Sequence, residues 1–167
     1  MQQQLTIRPA IEADFAAVAR ITGDSYLAAG YFDDAAHPYM VKIMDVAERA
    51  GQATVWVAER EGTVIGSVTL ALAGEPYADI ALHDELEFRM LVVDPAVQRS
   101  GAGKAMVDAI LSHAHTLPGI RGVALTTGKA WESAHALYRK TGFQRVPERD
   151  WFVPGTDTKL LVYRRDL

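Results

Sequence analysis

Gly101 and Gly103 stand two residues apart between Arg99 and Lys104 in the stretch VVDPAVQRSGAGKAM, residues 92–106. Glycines at the opening of a helix let backbone N–H groups approach an anion, and the helix start itself attracts phosphate. Several classes of protein use that physics. A nucleoside triphosphate loop needs Gly-x4-Gly-Lys-Ser/Thr; with Gly103 and Lys104 at its end, Gln98 stands where the first glycine belongs and Ala105 replaces the magnesium-binding hydroxyl. A dinucleotide turn needs a third glycine where Met106 stands, inside an early strand–helix–strand unit. Other chemistries fall away more quickly. There is no Gly-x-Ser-x-Gly elbow for a serine nucleophile. His113 and His115 are two apart on a predicted helix and diverge by about 200°, so no metal site is expected from them. His135 reads as a surface residue of a later helix.

The elements that must position this turn follow from periodicity. LTIR near the N-terminus reads as a strand, and Ile11 to Ala29 keeps apolar residues at helical spacing. Pro38 suits an early helix position, and YMVKIMDVAERA (39–50) continues as one helix until Gly51 stops it. ATVWVAE (53–59) and TVIGSVTLAL (63–72) alternate around a short glycine turn and form a hairpin. AGEPYADIALHDE is a loop. ELEFRMLVVD (85–94) is an apolar strand stopped by Pro95, and the glycine turn then opens a helix reaching about His115. GIRGVALTTG is a further strand, WESAHALYRKTGF a helix ended by Gly142, and TKLLVYRRDL a last strand. That order implies a mixed α/β chain with one central sheet and helices on its faces.

Composition narrows the class. The 167 residues read as a single domain, 1–167, large enough to bury a core without staples. With no cysteine, disulfides, thiolate metal sites and a cysteine nucleophile are excluded together, which suits a reducing cytoplasm. No apolar run approaches the roughly 18 residues of a membrane helix, and MQQQLTIRPA has no basic leader, so neither export nor membrane insertion is expected. A net charge of -4 without basic clusters argues against nucleic acid and fits a cationic small substrate slightly better than an anionic one.

What remains at the turn, Gln98-Arg99-Ser100-Gly101-Ala102-Gly103 after a VVDP strand end, matches the Gln/Arg-x-x-Gly-x-Gly/Ala signature of the GNAT N-acetyltransferase superfamily. Ala134, Leu137, Tyr138, Gly142 and Phe143 resemble the family's second motif at the expected distance, and the element order agrees. The resemblance implies a mixed sheet of about six to seven strands with two central strands splayed around acetyl-CoA as cosubstrate, and no metal. The gap would lie between the strand ending near Val93 and the strand from about Arg121 to Thr126.

Each site residue then has an expected role. Backbone groups of Leu91, Val92 and Val93 would pair with the pantetheine arm, and the amides from Arg99 through Ser100, Gly101, Ala102 and Gly103 to Lys104 would hold the pyrophosphate, with Gln98 opening the motif. Arg99 and Lys104 can add charge, while Ser100 is expected to give only its N–H. Tyr138 falls on the family's tyrosine, which donates to the departing thiolate. Glu87, in an otherwise apolar strand, is the expected base for the amine, with an ion pair to Arg89 as its competing role and Asp84, Glu85 and His83 as weaker alternatives. Trp131 departs from the family's usual asparagine three residues before the motif alanine; an indole has no acceptor, which leaves Ser133 as the substitute contact.

The acceptor, a small-molecule or peptide amine, would lie between the first helices with their link (Tyr26, Tyr31, Phe32, His37, Tyr39) and the loops near His83 and RVPERDWFVPG. The chain would act as a monomer or homodimer. Two rival classes share these motifs: a sensor that binds an acyl-CoA without turnover, and an interaction module that kept only the fold.

Overall fold

Alternating β-branched residues build the hairpin β2 (Thr54–Arg60) and β3 (Thr63–Leu72), which recruits β1 (Leu5–Pro9) along its outer edge. These and all following statements come from a computed structural model describing residues 4–97, 100–129 and 131–167. The other main strands are β4 (Glu85–Val93), β5 (Gly122–Gly128) and β8 (Lys159–Asp166), with the two-residue β6 (Gln144–Arg145) and β7 (Trp151–Phe152) between the last two in sequence. The sheet runs β1-β2-β3-β4-β5-β8-β6, with β7 also paired to β8. It therefore has eight strands rather than six or seven. The two additions are too short to show a period of two, and they form because β8 offers them an edge.

Helices cover both faces. α4 (Ala102–Thr116) and α5 (Glu132–Lys140) pack Met106, Ile110 and Tyr138 against Leu86, Phe88, Leu125 and Tyr163 on one side. α1 (Phe15–Ala28) covers the other with Val18 and Ile21 against Val57 and Val92. The expected helix from Ile11 begins only at Phe15, because the Asp14 carboxylate is held by Arg8 and by the Ile11 amide in a tight preceding turn. The helix expected over 39–50 is two, α2 (Pro38–Met44) and α3 (Val46–Gln52). Asp45 breaks them: its ψ of 78° leaves the helical range, and its Oδ1 caps the Glu48 N–H at 3.2 Å.

The central pair is short. β4 runs parallel to β5 only from Glu85 opposite Gly122 to Phe88 opposite Leu125. This closed end is pinned by the Glu85 carboxylate, which has no exposed surface. It takes both terminal nitrogens of Arg149 at 2.9 and 2.8 Å, Nε of Arg164 on β8 at 2.6 Å, and the Leu82 amide at 3.0 Å. Arg149 also donates to the Ile80 carbonyl, so one carboxylate joins β4, β8 and two loops.

Burial alone would push the Glu85 carboxyl up, but the hydrogen bonds from Arg149, Leu82 and Arg164 outweigh it and hold it below its usual value. A depressed carboxyl contributes stability that is complete above its unfolded value of 4.5 and is lost as pH falls through the folded value. Replacing Glu85 by alanine leaves the partly buried Arg149 without a carboxylate and Arg164 with only Asp166, and is expected to cost about 3 kcal/mol in urea unfolding at pH 7. The difference from the unaltered protein should shrink as the pH is lowered below 4.5.

Candidate active site

Past Phe88 the two central strands part. β3 pairs Ser67 with Val92 and Thr69 with Arg89, so Met90 and Leu91 together oppose Val68, and Met90 takes a left-handed φ of 55°. This bulge turns β4 away while β5 stays paired with β8 along its whole length. Among the described residues β4 pairs with β5 no further than Phe88. A cleft of about 280 Å³ opens there.

The glycine turn follows β4 and opens α4. Gly101 caps α4 at φ 82°, a left-handed conformation with open space around it. Gly103 answers a different constraint: a Cβ there would meet Cδ2 of Leu137 on α5 at 3.1 Å. Conformation favours glycine at the first position, and at the second a side-chain tip stands close. The first-turn amides of a helix have no intrahelical acceptor. The Ser100 Oγ accepts from the Ala102 N–H at 3.3 Å. Lys104 pairs with Asp108 one turn on at 2.7 Å. Gln98 and Arg99 lie outside the described residues.

Tyr138 lies on the floor of the cleft, with Phe88, Phe143 and Tyr163 around its ring at 5.8–6.0 Å. It is 4% exposed, and its hydroxyl forms no hydrogen bond with another described residue. Burial, aided by Tyr163, pushes the phenol well above its usual pKa, so it carries its proton at neutral pH. Leu91 also lines the cleft, whereas the Val92 side chain is buried against α1 and Val93 packs towards α4 and α5.

Glu87 is fully buried, and its Oε1 receives the N–H groups of Asp79, Ile80 and Ala81, each at 2.9 Å. Burial raises its pKa, and the three amides oppose that shift. The ion pair to Arg89 is not formed; Arg89 reaches Asp79 instead, at 2.9 Å. The reason is local, since the β3–β4 loop folds back over the strand and delivers its amides to Glu87 first. The same fold-back turns His83 outward, where it is exposed and away from the cleft. Asp79 and Arg89 do line the cleft, although sequence reasoning assigned neither to it.

The expected acceptor wall assembles from Tyr26, Tyr31, Phe32, His37 and Tyr39, with Val153 from the β7–β8 turn opposite. Trp131 joins it, stacked on Tyr31 at 5.8 Å and edge-on to Tyr26 at 5.3 Å. Ser133 points elsewhere and is exposed. His135 is buried rather than on the surface, because it shares with Tyr138 the inner face of α5 at a spacing of three. Its Nε2 is 3.0 Å from the Gly128 carbonyl, which can only accept, so the proton is on Nε2 and Nδ1 accepts from the Tyr163 hydroxyl at 2.7 Å. Helical spacing was the available signal for this residue.

Residues 51–145 match the family model described as the acetyltransferase (GNAT) domain, and the chain belongs to that family. N-acetyltransferase family 8 member 7 of Mus musculus is 34% identical over 113 residues, covering 67% of this chain and 48% of the mouse protein. N-acetylaspartate synthetase of Danio rerio is 31% identical over 126 residues, covering 75% and 42%. The chain thus spans about half the length of the curated relatives it matches. Among solved structures, yncA of Salmonella typhimurium with its cofactor acetyl-CoA superposes with a TM-score of 0.69 at 21% identity, covering 98% of this chain and 94% of that one, which bears on the fold.

The two glycines are separable by stability. Gly101→Ala forces a Cβ into the left-handed region and should cost about 1–2 kcal/mol in urea unfolding. Gly103→Ala should cost less than about 1 kcal/mol, because the Leu137 tip can yield and alanine is the better helix former.

Proposed function

We propose that this chain is an acetyl-CoA-dependent N-acetyltransferase that moves an acetyl group directly to a primary amine. The observation that carries the reading is Tyr138: its ring is buried, and its hydroxyl, protonated and donating to no described residue, lies at the floor of the gap between β4 and β5. The residues present fit the cosubstrate. The backbone of β4 at Leu91 and Val92, beyond its pairing with β5, can hydrogen-bond an extended amide-bearing arm. The first-turn amides of α4, held open by Gly101, suit a diphosphate. Acetyl-CoA supplies the acetyl thioester.

The chain's own groups supply the rest. Tyr138 is suited to donate its proton to a sulfur leaving as thiolate, because a shielded donor is worth most where negative charge develops. Glu87 serves the acceptor side by fixing the loop that carries Asp79. As a base it would have to exchange its amide partners for the substrate's proton, and the amine's proton has a simpler exit through water in the open cleft.

A panel of amines with free CoA as readout tests the activity and separates an enzyme from a silent acyl-CoA sensor. Tyr138→Phe keeps the ring and its packing. At saturating acetyl-CoA it should lower kcat by about 10²–10³ while calorimetry shows unchanged acetyl-CoA affinity. A kcat within about threefold of the unaltered enzyme, with chemistry rate-limiting, would remove the hydroxyl from the mechanism. For Glu87→Gln the expected outcome is an unaltered pH profile of kcat/KM with a raised acceptor KM; loss of the basic limb would instead identify Glu87 as the base.

A further inference from the structure

The cleft wall carries one guanidinium whose hydrogen-bonding capacity is half used. Arg89 follows Phe88, at the point where β4 leaves β5. Its Nη1 lies 2.9 Å from Oδ2 of Asp79 in an ion pair and donates to the Tyr77 carbonyl at 3.2 Å, and its Cζ lies 5.9 Å from the centre of the Tyr77 ring. Nε and Nη2 donate to no described residue. They are not sealed in protein either: the buried side-chain nitrogens without partners are those of Arg49 and Trp151. Nε and Nη2 form the edge of a guanidinium that takes both oxygens of a carboxylate. Arg89 lines the cleft, is held by one corner, and keeps its Nε–Nη2 edge without a partner among the described residues.

A second, independent observation concerns the charge behind that wall. Arg49 has no exposed surface. It donates to Oγ1 of Thr69, the residue paired with Arg89 across the sheet, at 2.7 Å, and to the Ile43 carbonyl at 2.9 Å, while its Nε has no partner. No carboxylate pairs with it among the described residues. A buried cation without a counter-ion leaves a positive potential in its surroundings. Asp79 pairs with Arg89 and the Glu87 carboxylate is hydrogen-bonded by three loop amides, so Arg49 itself has no ion-pair partner among the described residues. An ammonium group seated on Asp79 would have to displace Arg89.

We infer that the acceptor is an amine that also bears a carboxylate, an amino acid in the simplest case, and that Arg89 takes this carboxylate through Nε and Nη2. The inference rests on the acetyl-transfer reading and names the substrate class for the same cleft. Arg89 is thus a specificity-determining residue, prepositioned because Glu87 holds the loop that supplies Asp79 and Tyr77. The apolar part of the substrate would lie on Phe32 and Met90.

The test compares matched pairs on the unaltered protein: L-phenylalanine with 2-phenylethylamine, and L-leucine with 3-methylbutylamine. The acid of any pair that is acetylated should exceed its amine in kcat/KM by about tenfold or more, since a site built to hydrogen-bond a group rejects the analogue lacking it. Arg89→Gln should lower kcat/KM for the acid by about 10²-fold and bring the acid-to-amine ratio down to about one or below, with Arg89→Lys between this and the unaltered protein because it keeps the charge and loses the fork. Equal rates for acid and amine, or an equal loss for both in Arg89→Gln, would overturn the assignment. A turnover-free arm uses the products: N-acetyl-L-phenylalanine should raise Tm in the presence of CoA, and its methyl ester should not. If no amine is acetylated, the activity reading fails by itself, and the carboxylate site still stands or falls on that comparison of acid with ester.

Discussion

Beyond Phe88, β4 cannot stay in register with both of its neighbours. The extra residue at Met90 turns the strand left-handed, while β5 is fixed by seven consecutive pairings to β8 and cannot follow. A methionine at φ 55° is an unfavourable conformation that persists because the surroundings over-determine it, here with Met40, Ile43 and Tyr77 packed about the side chain. The cleft, the exposed backbone edge and the floor on which Tyr138 sits all follow from this divergence. The sheet remains continuous below it because the Glu85 network clamps the strands where they are still paired.

Two carboxylates on the same face of β4, two residues apart, meet opposite fates. Glu85 is surrounded by guanidinium groups and held below its usual pKa; Glu87 is surrounded by amides and, with burial dominant, pushed above it. Both are fully buried, so burial alone does not decide their character. The partners do, and they come from segments distant in sequence: Arg149 and Arg164 for one, and residues 79–81 for the other. The acceptor side inherits this arrangement, since the loop tied to Glu87 carries Asp79 to the cleft and frees Arg89 from the glutamate beside it.

The aromatic wall shows a related division of labour. Tyr26 comes from α1, Tyr31 and Phe32 from the link after it, and Trp131 from the start of α5. Trp131 stands where the family pattern has an amide, and its ring packs on Tyr31 and Tyr26. Behind it, His135 ties α5 to the Gly128 carbonyl at the end of β5, and a Cβ on Gly128 would strike the Tyr31 hydroxyl. The wall is thus assembled by close approaches among three segments.

The sequence by itself determined whatever depends on residues near one another in the chain. Periodicity of two or about four, with glycine and proline punctuation, located the main strands and helices. The spacing in QRSGAG and ALYRKTGF placed the helix start and Tyr138, and aromatic residues around 26–39 marked one wall of the cleft. Local signals failed where a long-range partner competed with them. Two-residue strands need an edge to exist, and the break at Asp45 wins over a continuous helical period by one capping bond. Only the tertiary structure decided which groups face each other: that Arg89 meets Asp79 rather than Glu87, that His83 and Ser133 turn away, and that His135 is buried. Side-chain partners across a sheet and between loops are set by how the backbone closes, and the closure here turns on a left-handed methionine that no glycine in the sequence announces.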